Sequence, residues 1–157
     1  MAKTVLKANN ISIVFGGLKA VENFCIEIKE GELVGLIGPN GAGKTTVFNM
    51  LTGVYVPTSG TVELCGQDVT NFLPHKRVEL GISRTFQNIR LFKRMSVLEN
   101  VKVSSNIQMN YSVFDGIFKT KKYFEQEDKA TKEALEILQV LGLEEYANEE
   151  AQNLPYG

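Results

Sequence analysis

The stretch GLIGPNGAGKTTVFNMLTG, Gly35 to Gly53, decides the fold. Inside it, Gly38-Pro39-Asn40-Gly41-Ala42-Gly43-Lys44-Thr45 fits the spacing G-x-x-x-x-G-K-[ST]. The apolar run Leu33–Gly38 ahead of the glycines reads as a short strand buried on both faces, as in a parallel sheet. Lys44–Thr52 behind them reads as a helix, with Val47, Met50 and Leu51 on one face and Gly53 as its stop. A loop between strand and helix can wrap a phosphate chain only if successive backbone N–H groups point inward. That demands unusual φ values and no Cβ in the way, which glycine supplies. The helix adds unpaired first-turn amides and the positive end of its dipole. Lys44 is then set to reach the β- and γ-phosphates of a nucleotide, and the Thr45 hydroxyl to complete a Mg²⁺ shell. Thr46, next on the helix, is placed to bond an α- or β-phosphate oxygen.

Outward from this loop, the 157 residues suffice for one good core with a small appended subdomain. With 43% hydrophobic and 22% charged residues, the composition is that of an ordinary globular chain. The formal net charge of -1 gives no basic field, so nucleic acid is not an expected partner. The N-terminal MAKTVLKANN has no signal-peptide apolar core, and no run reaches the roughly 18 apolar residues of a membrane span. Cys25 and Cys65 form no CxxC pair and read as reduced, buried thiols of a cytosolic protein. Alternation in Thr4–Phe15, and Val21, Phe24, Ile26 and Ile28 after it, indicate two strands; Gly60–Val69 indicates strand, turn and strand. Pro74 opens a short helix to Leu80 closed by Gly81, and Ile82–Phe86 is a further strand candidate. Ser96 and Glu99 form a capping box before a helix. Asn110–Asp128 is an aromatic and basic connector; its Lys119, Lys121 and Lys122 among aromatics suggest membrane-surface contact, but with the net charge near zero they read as solvated. Ala130, Ala134, Ile137, Leu138 and Leu141 share one helical face, with Gly142 as stop. The texture changes from strand-rich to helical near Phe92–Met95, which gives an α/β part over residues 1–93 and a helical part over residues 94–157.

Three further stretches narrow the class, because a phosphate loop alone does not give function. They are FGGLKAV (Phe15–Val21), RTFQN (Arg84–Asn88) and the terminal NLPYG (Asn153–Gly157). With GPNGAGKTT they make the chain resemble the nucleotide-binding domain of ABC transporters, over essentially its whole length. VFGGLKAV, TFQNIRLFKRMSVLENV and LPYG are most similar to the ATPase subunits of branched-chain amino-acid importers. The resemblance implies a P-loop NTPase core with an antiparallel β part and a following α-helical subdomain, the C-terminal half of the core lying outside the chain. It implies ATP and Mg²⁺ as ligands. Phe15 takes the A-loop position, where an aromatic ring stacks on adenine; a core phenylalanine at a strand end is the alternative. Gln87 takes the Q-loop position, ligating Mg²⁺ and the attacking water. Asn88–Met95 would face the cytoplasmic helix of transmembrane permease subunits, and a second ATPase subunit would complete a dimer. The implied location is cytoplasmic, peripheral on the inner face of the cell membrane. His75, the only histidine, precedes the Q-loop and reads as a solvated helix residue.

The sequence holds no Asp-Glu dipeptide after an apolar run, which the resemblance requires for Walker B and its catalytic Glu. Ser112–Gly116, SVFDG, is the nearest approach and precedes the signature, in the wrong order. The signature LPYG carries Pro155 and Tyr156 where the family commonly has Ser and Gly. These departures imply ATP binding with little turnover by this chain alone, and self-association to cover an unpaired sheet edge. Two other classes stay open: a non-catalytic nucleotide-binding or interaction module, and an ABC ATPase for another substrate such as lipid or lipopolysaccharide. A GTPase would want Asn-Lys-x-Asp, which is absent from the sequence.

Overall fold

The computed structural model describes residues 2–86, 90–105 and 112–155. The chain divides into two compact units, Met1–Thr85 and Phe86–Gly157. In the first, β1 (Thr4–Phe15) and β2 (Leu18–Lys29) form an antiparallel hairpin across Gly16-Gly17. β3 (Ser59–Leu64) pairs with the other side of β1, and β4 (Gln67–Asp68) with β3, giving the all-antiparallel order β2-β1-β3-β4. Strict alternation would not put both Ala8 and Ile11 on one face. The pairing with β2 shifts register between them, and Asn10 sits at φ 48, so one residue is taken up and both reach the core. α1 (Lys44–Leu51) lays Val47, Met50 and Leu51 on that face, against Ile11, Ile13 and Val62. Each such side chain contributes about 1.5–3 kcal/mol on burial.

Two expected strands are not strands. Leu33–Gly38 has no strand assignment, and Leu33 and Ile37 are almost fully exposed, at 101% and 93%. A strand exists only with a ladder partner, and among the described residues none lies beside it. Ile82–Phe86 likewise has no strand assignment, and Arg84 Nη1 donates to Asn49 Oδ1 of α1 at 2.6 Å. The cysteines differ from expectation as well, since both are exposed free thiols. Cys25 lies between the inward Phe24 and Ile26 of β2 and so points outward, while Cys65 occupies the β3–β4 turn at φ 50.

The second unit is helical: α3 (Val97–Ser105), α4 (Val113–Phe118) and α5 (Lys121–Val140), with short 3-10 turns at Glu144–Tyr146 and Ala151–Asn153. α2 (Pro74–Glu79), in the first unit, opens at its proline and closes before Gly81 as expected. α5 buries Ala130, Ala134 and Leu138, whereas Ile137 and Leu141 fall at the edge of that stripe and stay exposed. The first amides of α3 are satisfied across the chain, Val97 N bonding Glu149 O and Leu98 N bonding Ala147 O, both at 2.9 Å. The change of texture near Phe92–Met95 lies inside this unit, because the carbonyls of Lys93 and Met95 accept from Gln152 and Ala151.

Candidate functional site

The glycine-rich loop is a turn set on the start of α1. Ala42 N donates to Pro39 O at 3.2 Å, and the first bond of α1 runs from Val47 N to Gly43 O at 2.9 Å. The amides of Lys44, Thr45 and Thr46 therefore precede the helical ladder and are the natural donors to an anion. Gly41 and Gly43 stand at φ 84 and 83, the left-handed conformation that the resemblance to a phosphate loop requires. Gly43 is also packed tightly, since a Cβ there would lie 2.8 Å from the Ala20 carbonyl. That close approach seats the loop against the beginning of β2.

Lys44 reaches back over the loop. Its Nζ donates to the carbonyls of Gly38 and Pro39, both at 2.7 Å. An ammonium has three N–H donors, so two brace the loop and one is left for a phosphate oxygen. The contact also holds the positive charge at the loop mouth, where it favours an anion. Asn40 and Thr45 are exposed, and Thr46 is half-buried. Beside the loop, a cleft of about 270 Å³ is lined by Val21, Phe24, Leu36, Ala42, Lys44 and Val47 among others.

Phe15 ends β1, pairs with Leu18 and is 43% exposed. Its ring meets Tyr55 edge-on, with centroids 5.2 Å apart at 69°. Leu18 is two residues from the Ala20 that touches Gly43, about 7 Å along the strand. The hairpin thus holds an exposed aromatic ring a short way from the phosphate loop, an arrangement suited to a planar base. Gln87, Asn88 and Ile89 lie outside the described residues, so the Q-loop position has no geometry here, and Tyr156 and Gly157 of the signature lie outside them too. His75 is exposed on α2.

Mg²⁺ keeps several waters and takes few protein ligands besides substrate phosphates. Among the described residues no group of three or more His, Cys, Asp or Glu is placed to hold a metal ion. The exposed Thr45 hydroxyl on the first turn of α1 suits an ion that arrives with the nucleotide.

Two residues that the sequence did not single out support these parts. Arg77 is fully buried and donates from Nη1 to the Met50 and Leu51 carbonyls, from Nη2 to Thr70 O and from Nε to Phe72 O, at 2.8–3.2 Å. It thereby caps the C-terminal end of the helix whose N-terminus carries the loop. Burial lowers its pKa, and the Asp68 carboxylate opposes that. Asn100 orders the segment before α3, its Oδ1 accepting from Phe92 N at 2.9 Å and its Nδ2 donating to Phe92 O and Ser96 O. Leu91 and Phe92 stay half-exposed beside it, and a groove of about 590 Å³ runs past Leu91, Val97, Val101, Leu138 and Leu154. Neither residue carries a local motif; only a pairing of distant segments reveals them.

Comparisons with known proteins give the family. The family model described as ABC transporter matches residues 21–157. The high-affinity branched-chain amino acid transport ATP-binding protein LivG of Salmonella typhimurium (strain LT2) is 43% identical over 157 residues, which is 100% of this chain and 62% of that protein. The corresponding protein BraF of Pseudomonas aeruginosa is 41% identical over the same shares. A crystal structure of the ADP conformation of an ATP-binding cassette from an ABC transporter superposes with a TM-score of 0.77 at 33% identity, covering 98% of this chain and 59% of that one. The chain thus spans about three-fifths of the relatives it matches. Among the described residues no helix is long and apolar enough to cross a membrane. On the loop, its helix and these matches together, the chain belongs to the ABC transporter family.

Proposed function

We propose that this chain binds ATP with Mg²⁺ as the nucleotide-binding part of an energy-coupling subunit that drives import of branched-chain amino acids. The observation that carries the reading is Lys44 braced across the Gly38 and Pro39 carbonyls, above amides that precede the first bond of α1. The backbone amides of Gly38–Thr46 and the Lys44 ammonium would hold the phosphates, the Thr45 hydroxyl the metal, and the Phe15 ring the base. Mg²⁺, when bound, neutralises charge on the phosphate oxygens. Gln87 would act as the Q-loop residue. In this reading residues 1–93 carry the A-loop, Walker A and Q-loop, and residues 94–157 the helical part that leads to the signature. The substrate class rests on the names of the relatives.

The same reading assigns Asn88–Met95 to contact with the permease subunits, on the cytoplasmic face of the membrane. The half-exposed Leu91 and Phe92, ordered by Asn100 beside an apolar groove, support it. A second ATPase subunit would form the dimer. Turnover by this chain alone should be slight, because its sequence offers no Asp-Glu pair to position water.

The test is a calorimetric titration of ATP with Mg²⁺ into this chain and into Lys44→Ala, with phosphate release measured on both. Saturable binding that weakens at least about tenfold in the variant supports the phosphate cradle, one charged hydrogen bond being worth about 1.5–3 kcal/mol. Equal binding by both proteins sinks it. Phosphate release well above the Lys44→Ala level would refute the expectation of slight turnover.

A further inference from the structure

α4 presents the wrong side to solvent. Val113, Phe114, Ile117 and Phe118 are 77%, 73%, 68% and 73% exposed, while Asp115 and Gly116 are half-buried. Residues 113 and 117, and 114 and 118, are each one turn apart and form a single stripe. An ordinary surface helix turns such a stripe to the core and its carboxylate to water. The carboxylate is held within its own turn by hydrogen bonds. The Asp115 carboxylate accepts from Ser112 N, Ser112 Oγ and Thr120 Oγ1, each at 2.9 Å, and Ser112 Oγ accepts from Asp115 N at 3.3 Å.

The charges around the stripe indicate what covers it. Lys119, Lys121 and Lys122 follow directly and are all exposed. Asp115 is the one acidic side chain from Val113 to Phe124; Glu125 follows, and its carboxylate lies 3.6 Å from Lys121 Nζ in an exposed pair that an anionic headgroup can exchange. Large apolar side chains flanked by lysines match a lipid headgroup boundary, where acyl chains take the rings and aliphatic groups while anionic headgroups meet the ammonium groups. Four side chains on a short helix offer much less than the about 800 Å² per partner of a stable protein interface. Shallow insertion into lipid needs no such area.

We propose that α4 and the lysines after it form a shallow docking site for an anionic membrane surface. It stands apart from the nucleotide reading and needs no nucleotide to be tested. The chain has no tryptophan, so Phe118→Trp supplies a single fluorescent reporter. Its emission should shift to the blue with phosphatidylcholine vesicles containing about one-third phosphatidylglycerol, much less so with phosphatidylcholine alone, and the shift should fade as salt rises. In co-sedimentation of the 157-residue chain, Phe114→Ser with Phe118→Ser should weaken binding at least about tenfold. Lys119→Glu with Lys121→Glu and Lys122→Glu should remove the preference for anionic vesicles, and circular dichroism should show both variants folded. No binding by the unaltered chain would overturn the proposal. So would binding that ignores the lysine changes, or a self-association that the Phe114 and Phe118 changes abolish, which would make a second copy the occupant.

Discussion

The guanidinium of Arg77 is buried and donates to four main-chain carbonyls: Met50, Leu51, Thr70 and Phe72. A buried cation is costly unless its donors are used, and here they serve the Met50 and Leu51 carbonyls at the end of α1 together with the loop carbonyls of Thr70 and Phe72. Gly53 belongs to the same arrangement, since a Cβ at that position would lie 2.8 Å from Arg77 Nε. Replacing Arg77 by Met removes the donors and leaves buried carbonyls unsatisfied. We expect Arg77→Met to lower stability by about 3 kcal/mol or more, read as a shift of the urea midpoint. A shift below about 0.5 kcal/mol would mean that water replaces the guanidinium at little cost. Nothing local in LPHKRVEL marks Arg77, because its partners lie up to 27 residues away in sequence. The loop glycines and Lys44 stand out in the sequence for the opposite reason: the motif that contains them is a spacing within one short stretch.

At the scale of elements, the second unit depends on two capping boxes. Ser96 Oγ accepts from Glu99 N at 3.1 Å while Glu99 Oε2 accepts from Ser96 N at 2.8 Å, and Ser112 and Asp115 repeat the pattern on α4. Bonds from the serine amides and hydroxyls hold the carboxyls of Glu99 and Asp115 below their ordinary values of 4.5 and 3.8. A depressed carboxyl pKa adds stability that is present above the unfolded value and lost as pH falls through the folded one. Helical content should therefore hold at neutral pH and decline once pH drops below about 4.5. Ser96→Ala should cost about 1 kcal/mol at pH 7 and flatten the acid decline. Circular dichroism across pH 7 to 2 checks both, and an unchanged profile in the variant would count against the cap. The Ser96 box was readable because its signal spans four residues. Leu33–Gly38 was misread because a strand is not a local property; its apolar run satisfies the pattern, but the pairing partner is absent from the described residues. α4 lay inside a stretch read only as a connector, since its apolar stripe faces outward and the pattern rules assume the reverse.

For the molecule as a whole, the outcome of that missing pairing is exposed apolar chain. Leu33, Val34 and Ile37 sit in water just ahead of the phosphate loop, and each large aliphatic side chain left exposed forgoes about 1.5–3 kcal/mol of burial. A segment outside any ladder, with apolar side chains in water, is also a template for strand addition. We expect self-association of this chain, with the Leu33–Ile37 segment as the seam. Light scattering over a wide concentration range should give a mass that rises above the 17.4 kDa of a single chain. Leu33→Ser with Ile37→Ser should shift that rise to at least about tenfold higher concentration, given the burial each residue would lose. Because the segment leads into Gly38, nucleotide binding and association should be linked. If association pins the loop in its binding shape, adding ATP should strengthen it, and the loop variant Lys44→Ala should lose that response. A strictly monomeric mass at every concentration, with and without ATP, would show that Leu33–Ile37 is tolerated in water, and the seam would have to be abandoned.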